Sequence, residues 1–180
     1  MKSSGLSSAR KGRLSATHDY RGRIALVLGA SRGIGAETAR AFGRAGARVV
    51  LASRDESALR GVADEIAAEG AEALVQPVDL ASPASLVELG HRIEGSYGHL
   101  DCAFNNAGEG FRPTPLAEVP NEAFELVQRV SVLGTFLALK QEIPLMLKAG
   151  KGAIVNMSST AGLSAFAGEA PYVAAKHAIL

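Results

Sequence analysis

Tyr172 and Lys176 stand four residues apart. On a helix, side chains at i and i+4 share one face. An ammonium beside a phenol favours the phenolate, so Lys176 would lower a tyrosine pKa that starts near ~10. A tyrosine tuned in this way can pass a proton to or from an alcohol or carbonyl oxygen. The same spacing also describes an ordinary solvated helix face, and the residues upstream decide between the two readings.

The first upstream block is Gly29-Ala30-Ser31-Arg32-Gly33-Ile34-Gly35, which follows the apolar run Ile24 to Leu28. A phosphate site needs a strand that passes through glycines into a helix. Glycine allows a tight turn and lets a pyrophosphate approach the backbone. The helix start adds unpaired N–H groups and the positive end of the dipole. The spacing is Gly-x-x-x-Gly-x-Gly, and no Gly-Lys-Ser/Thr follows, which argues against a nucleoside triphosphate loop. Gly29, Ser31, Arg32, Gly33, Ile34 and Gly35 are therefore candidate contacts to a dinucleotide.

The end of the second strand selects the dinucleotide. An NAD site usually places an acid there on the ribose 2′-hydroxyl. This sequence has Ala52-Ser53-Arg54. Arg54 suits the 2′-phosphate of NADP, because a guanidinium meets a phosphate dianion bidentately, and Ser53 lies beside it. Arg32 could reach the same group. Asp55 reads better as a helix cap. NADP is the expected cofactor, with NAD as the alternative.

The elements that must position these residues alternate. Short β-type runs at Ile24–Leu28, Arg48–Leu51, Ala73–Val78, Leu100–Asn105 and Ala153–Met157 are separated by helical stretches. Helices are expected over Ile34–Ala45, over Ser57–Glu69 with a cap at Asp55 or Ser57, and from the Ser82-Pro83 cap to about Tyr97. A further helix is expected from an Asn121 cap to Ala149, bent near Pro144, and a last one from Tyr172 to Leu180. Strands alternating with helices imply right-handed crossovers and a parallel sheet covered on both faces. The fold class is α/β: a Rossmann-type doubly wound sheet in three α/β/α layers, with ligands at the carboxyl ends of the strands.

The 180-residue sequence suits one domain. Its charge is nearly balanced at +1, which gives no reason to expect nucleic acid or an anionic membrane as partner. No purely apolar run approaches the roughly 20 residues of a membrane span. The single cysteine, Cys102, sits in an apolar run, reads as a buried small hydrophobe and fits a reducing, cytoplasmic setting. Residues 1–20 are basic and serine-rich, with Asp19 as the only acid. They read as a disordered tail ahead of a dinucleotide-binding domain over 21–180, with a transit peptide or an early start codon as alternatives. His18, His91 and His99 lack metal-site spacing, and no metal is expected. His177 points away from the Tyr172 face.

Taken in order, Gly29-x-x-x-Gly33-x-Gly35, Asn105-Asn106-Ala107-Gly108, Ser158-Ser159 and Tyr172-x-x-x-Lys176 resemble the short-chain dehydrogenase/reductase family in its single-domain form. The likeness covers about residues 20–180, and Asp79-Leu80 matches the family's adenine contact. The resemblance implies hydride transfer at a nicotinamide, coupled to proton transfer through Tyr172, between a secondary alcohol and a ketone. It implies Ser159 as the group that orients the substrate oxygen, with Ser158 the second choice. It implies Lys176 on the nicotinamide ribose, and Asn106, Ala107 and Gly108 along the adenosine half. A complete version would be a homodimer or homotetramer. An epimerase or dehydratase with the same pair usually shows Gly-x-x-Gly-x-x-Gly, unlike this chain.

Three departures qualify the likeness. Ser131, in Ser131-Val132-Leu133-Gly134, stands where the family has an asparagine that holds a relay water. A serine is shorter and presents fewer groups, so a weakened relay is expected. Leu28 replaces a common threonine. The family's last two strands and substrate loop would follow Leu180, which leaves a competing reading: a truncated dinucleotide-binding remnant with little or no turnover. Phe111, Arg112, Phe166 and Glu169 are candidates to line a substrate pocket but do not identify a substrate.

Overall fold

The computed structural model describes residues 19–180. The expected tail lies outside the described residues except for Asp19 and Tyr20, and His18 lies outside them too. Tyr20 joins the fold: its ring meets Phe42 edge-on at 5.2 Å, and its N–H donates to Ala45 O at 2.9 Å.

Five parallel strands form one sheet in the order β3-β2-β1-β4-β5. They are β1 (Ile24–Leu28), β2 (Arg48–Ser53), β3 (Ala73–Pro77), β4 (Cys102–Asn105) and β5 (Ala153–Asn156). β1 is central and carries no polar side chain; none of its residues is more than 2% exposed. That is what a strand covered on both faces requires. Ile24, Leu26 and Leu28 point to one core, shared with Leu86, Leu89 and Ile93 of α3 (Pro83–Tyr97) and Leu145 and Met146 of α5 (Gly134–Lys148). Ala25 and Val27 point to the other, shared with Ala36 and Ala39 of α1 (Gly33–Arg44) and Leu59, Val62 and Ile66 of α2 (Glu56–Ala68). The three-layer Rossmann-type arrangement follows directly from this alternation.

The caps follow the sequence closely. Asp55 accepts from Ala58 N at 3.0 Å to start α2, and Ser82 accepts from Ser85 N at 3.4 Å ahead of Pro83 to start α3. Two expectations need correction. Asn121 does not cap: Pro120 holds the cap position, and Asn121 is the first residue of α4 (Asn121–Gln128), with no side-chain cap bond. The long helix is not disturbed chiefly at Pro144, which sits within α5 on its exposed side. Its irregular turn is a π segment at Arg129–Leu133, centred on the fully buried Ser131. Thr135 Oγ1 donates to Ser131 O at 2.7 Å there, and such back-bonding bends helices.

The run Asn121–Lys148 is long and apolar enough, by length and composition, to cross a membrane. Here it packs its buried residues against α3 and the sheet, and it carries Glu122, Glu125, Arg129, Lys140 and Lys148 on its exposed positions. α6 (Ala170–Ala178) starts earlier than expected, with Pro171 in its first turn.

Glu142 is the most buried acid of the described residues, at 1% exposure. Burial pushes its carboxyl from the ordinary 4.5 up to about 7, opposed only by a hydrogen bond from Asn105. Folding therefore favours the protonated acid. Its stabilising effect is complete below pH 4.5 and is lost as pH rises through about 7. The difference between these limits corresponds to roughly 3 kcal/mol. Denaturant melts should show wild type losing stability relative to Glu142→Gln across this window; parallel curves would count against a buried, titrating acid.

Candidate active site

The candidate contacts collect at the carboxyl ends of the strands. The strand order reverses between β1 and β4, which pair in register from Ala25–Cys102 to Leu28–Asn105. That reversal is the topological switch point at which such sheets hold their ligands.

The two loops leaving β1 and β4 touch. Gly29 has φ of 79°, and a Cβ there would come within 2.9 Å of the Ala107 backbone. A Cβ at Gly35 would lie 2.1 Å from Gly29 O. Asn106 Nδ2 donates to Gly29 O at 3.4 Å. Beside these loops lies a cavity of about 550 Å³, a volume typical of ligand sites. Its lining includes Gly29, Ser31, Arg32, Gly33 and Ile34 from the first loop, Ser53 and Arg54 from the end of β2, and Asp79 and Leu80 after β3. Asn106, Ala107 and Gly108 close it from the β4 side. Ser53 Oγ is buried with no hydrogen-bond partner among the described residues. A glycine turn packed too closely against the β4 loop for a Cβ, two arginines and an orphaned hydroxyl fit a phosphorylated, sugar-bearing ligand such as a dinucleotide.

A hollow of about 620 Å³ at the opposite ends of the strands is lined by Arg21, Arg23, His99, Asp101 and Lys148. Its charges are mostly engaged with one another or with close neighbours: Arg21 with Asp19, Arg23 and His99 with Asp101, and Lys148 with Glu94. Arg23 and the N–H of Ile24 hold the Asp101 carboxyl below its ordinary value, although burial opposes them. The arrangement ties strand ends together, and ligands of open α/β sheets do not bind at this end.

Tyr172 and Lys176 lie on one face of α6, with the Lys176 ammonium 5.6 Å from the Tyr172 ring centroid. Lys176 is 4% exposed, and Nζ donates to Met157 O at 2.9 Å. Burial lowers the pKa of its ammonium. A Cβ on Gly108 would lie 3.5 Å from both Lys176 Nζ and Ser131 Oγ, so the β4 loop, the π turn and α6 meet at one point. Ser131 Oγ accepts from Glu109 N at 3.2 Å and so fixes the loop after Gly108.

The two serines separate by their bonds. Ser158 Oγ donates to Lys176 O at 2.8 Å, which commits its proton to α6. Ser159 Oγ accepts from Ala161 N at 3.2 Å and keeps its own proton free among the described residues. Asp79 is held by a local turn, its carboxylate accepting from Ala81 N at 2.9 Å. Of the pocket candidates, Phe166 is 45% exposed and Arg112 is exposed, while Thr114 N donates to Gly168 O at 2.9 Å and ties their two loops together. Cys102 is half-buried rather than fully buried, and its thiol pKa is pushed up chiefly by burial.

The sequence reading passed over Glu109. Its carboxylate faces Arg54, a residue of the cavity lining, at 3.8 Å, so the pair links the end of β2 to the loop after β4. The available signal was an acid directly after Asn-Asn-Ala-Gly. It also passed over Val130, whose apolar side chain lines the cavity from the π turn.

A family model described as short chain dehydrogenase matches residues 23–180. The chain belongs to the short-chain dehydrogenase family. Members of this family use nicotinamide dinucleotides, which agrees with the cradle. Among its relatives in the family is an A-factor type gamma-butyrolactone 1′-reductase (1S-forming) of Streptomyces virginiae, 42% identical over 159 residues, 88% of this chain and 62% of the relative. Cyclohexanol dehydrogenase of Acinetobacter sp. (strain SE19) is 34% identical over 91% of this chain and 65% of its own length. The crystal structure of a metagenomic short-chain oxidoreductase in complex with NADP superposes with a TM-score of 0.86 at 38% identity, over 89% of this chain and 72% of the other. The chain spans about three fifths of the length of the curated relatives it matches, 62% for the first two.

Proposed function

We propose that the chain is the dinucleotide-binding and catalytic part of an NADP(H)-dependent oxidoreductase that interconverts a secondary alcohol and a ketone. One observation carries this reading. Tyr172 and a buried Lys176 share a face of α6, beside Ser131 and the Gly108 loop that borders the dinucleotide cavity. When bound, the cofactor supplies the hydride and the chain's own residues manage the proton. Tyr172 gives its phenolic proton to the carbonyl oxygen in reduction and removes the alcohol proton in oxidation. The Lys176 ammonium, held by Met157 O, offers its remaining protons to the ribose hydroxyls. Ser159 donates to the same substrate oxygen and orients it.

Gly29, Ser31, Gly33, Ile34 and Gly35 would hold the pyrophosphate through backbone N–H groups at the start of α1. Asp79, Leu80, Asn106, Ala107 and Gly108 would hold the adenosine half. Ser53, Arg54 and Arg32 would take the 2′-phosphate. Residues 21–180 form the domain in this reading, and exposed Leu133, Phe136, Ile143 and Leu147 on the long helix suit a homodimer.

NADPH oxidation with a panel of ketones, cyclohexanone first because of the cyclohexanol relative, tests the reading. Binding of NADPH without oxidation of any panel member would favour a dinucleotide-binding role without turnover. Cofactor choice has its own test. Charge-assisted bonds to a phosphate contribute about 1.5–3 kcal/mol, so Arg54→Ala should weaken NADP binding by roughly 10- to 100-fold and leave NAD nearly unchanged. Titration calorimetry with both cofactors checks this, and an equal loss for the two would remove Arg54 from the 2′-phosphate.

A further inference from the structure

Glu142 takes no part in the chemistry described, yet its contacts lead to the catalytic lysine. Its carboxylate Oε2 accepts from Asn105 Nδ2 at 3.1 Å, and the same amide nitrogen donates to Asn156 Oδ1 at 2.9 Å. Asn105 and Asn156 are register partners at the carboxyl ends of β4 and β5. Asn105 O accepts from Met157 N at 2.8 Å, and Met157 O in turn accepts from Lys176 Nζ at 2.9 Å. Each link joins segments distant in sequence: α5, β4, the end of β5 and α6.

The cluster is rich in acceptors and short of donors. Glu142 Oε1 and Asn105 Oδ1 are both buried without a partner among the described residues. One amide nitrogen serves both Glu142 Oε2 and Asn156 Oδ1. A proton on Glu142 supplies a donor that this group of oxygens lacks. An ionised Glu142 instead makes a stronger, charge-assisted bond to one N–H of the Asn105 amide, whose other N–H serves Asn156, and so pulls on the side chain that bridges the two.

We propose that Glu142 is a positioning residue for Lys176, acting through Asn105 and the end of β5 that presents the Met157 carbonyl to the lysine ammonium. The titratable groups on the packed elements are Glu88, His91, Arg92, Glu94 and Tyr97 on α3, Arg129 in the π turn and Cys102 at the start of β4. The charged ones are exposed, and Tyr97 and Cys102 are half-buried. Only burial and Asn105 shift Glu142, so its own proton governs the cluster. The functional meaning rests on Lys176 having the role proposed above, but the test requires no turnover.

Isotope-labelled chain is titrated by NMR. In wild type, the Asn105 side-chain amide, the Met157 amide and Lys176 Nζ shift together in one step centred near pH 7, coincident with the Glu142 carboxyl carbon. In Glu142→Gln the step disappears, and the signals stay at their low-pH positions. A step at Met157 and Lys176 that persists in Glu142→Gln overturns the proposal, as does one abolished only by His177→Asn. So does a Glu142 carboxyl that titrates without moving Met157 and Lys176. This last comparison uses wild type alone, so it decides the matter even where the variant folds poorly. A Tyr172 variant with full turnover would refute the proposed function and leave this chain of contacts standing.

Discussion

Tyr172→Phe is expected to reduce turnover by roughly a thousandfold while NADP affinity changes by no more than about twofold. The substitution removes one oxygen and keeps the ring beside Lys176. If the phenol carries the proton, the loss falls on kcat, because the interaction is made in the transition state and not in cofactor binding. Ser159 and the bound cofactor would supply the remaining rate. A rise in KM with kcat preserved would reassign Tyr172 to substrate binding, and an unchanged rate would remove it from the chemistry. Lys176→Ala should differ, weakening cofactor affinity and rate together.

Gly35→Ala should damage the cofactor site far more than its single methyl suggests. The added Cβ would sit 2.1 Å from Gly29 O and 2.9 Å from Asn106 Nδ2. The first contact is backbone, so α1 must separate from the loop that follows β1. At the upper end of overpacking costs, about 3 kcal/mol, NADP affinity falls by on the order of a hundredfold. Gly61→Ala is the matched control. Gly61 lies within α2 with open space around its Cβ position, so alanine should stabilise by about 0.5–1 kcal/mol. Thermal melts with and without NADP separate the two effects. A Gly35→Ala chain that binds NADP normally would show that the loop adapts and that contact between the β1 and β4 turns is not required.

Much of the fold was legible because its signals are local. The continuous apolar run of β1 marks a doubly covered strand, and Asp55 and Ser82-Pro83 mark helix starts through bonds of three residues' reach. Where the local signal was ambiguous, the reading erred. A proline suggested the bend in the long helix. The irregular turn lies instead at Arg129–Leu133, where Thr135 bonds back to the buried Ser131 beside the β4 loop and α6, and the helix runs on unbroken through Pro144. Tyr20 was assigned to a tail by composition, yet its ring finds Phe42 on α1.

By itself the sequence determined the order of strands and helices, the glycine turn, the arginine in place of an acid after β2, and the Tyr172/Lys176 pair. These are properties of residue type and short spacing, and they hold wherever the segment lies. Only the tertiary structure decided which distant groups meet. It tied Ser158 to the backbone of α6 and left the Ser159 proton free among the described residues, set Glu109 opposite Arg54, and closed the chain of bonds from Glu142 through Asn105 to Met157 and Lys176. The physical reason is that burial is a property of the packed whole. A glutamate is an ordinary surface residue in a sequence, and becomes an acid that holds its proton to a raised pH only when a sheet and a helix exclude water from it.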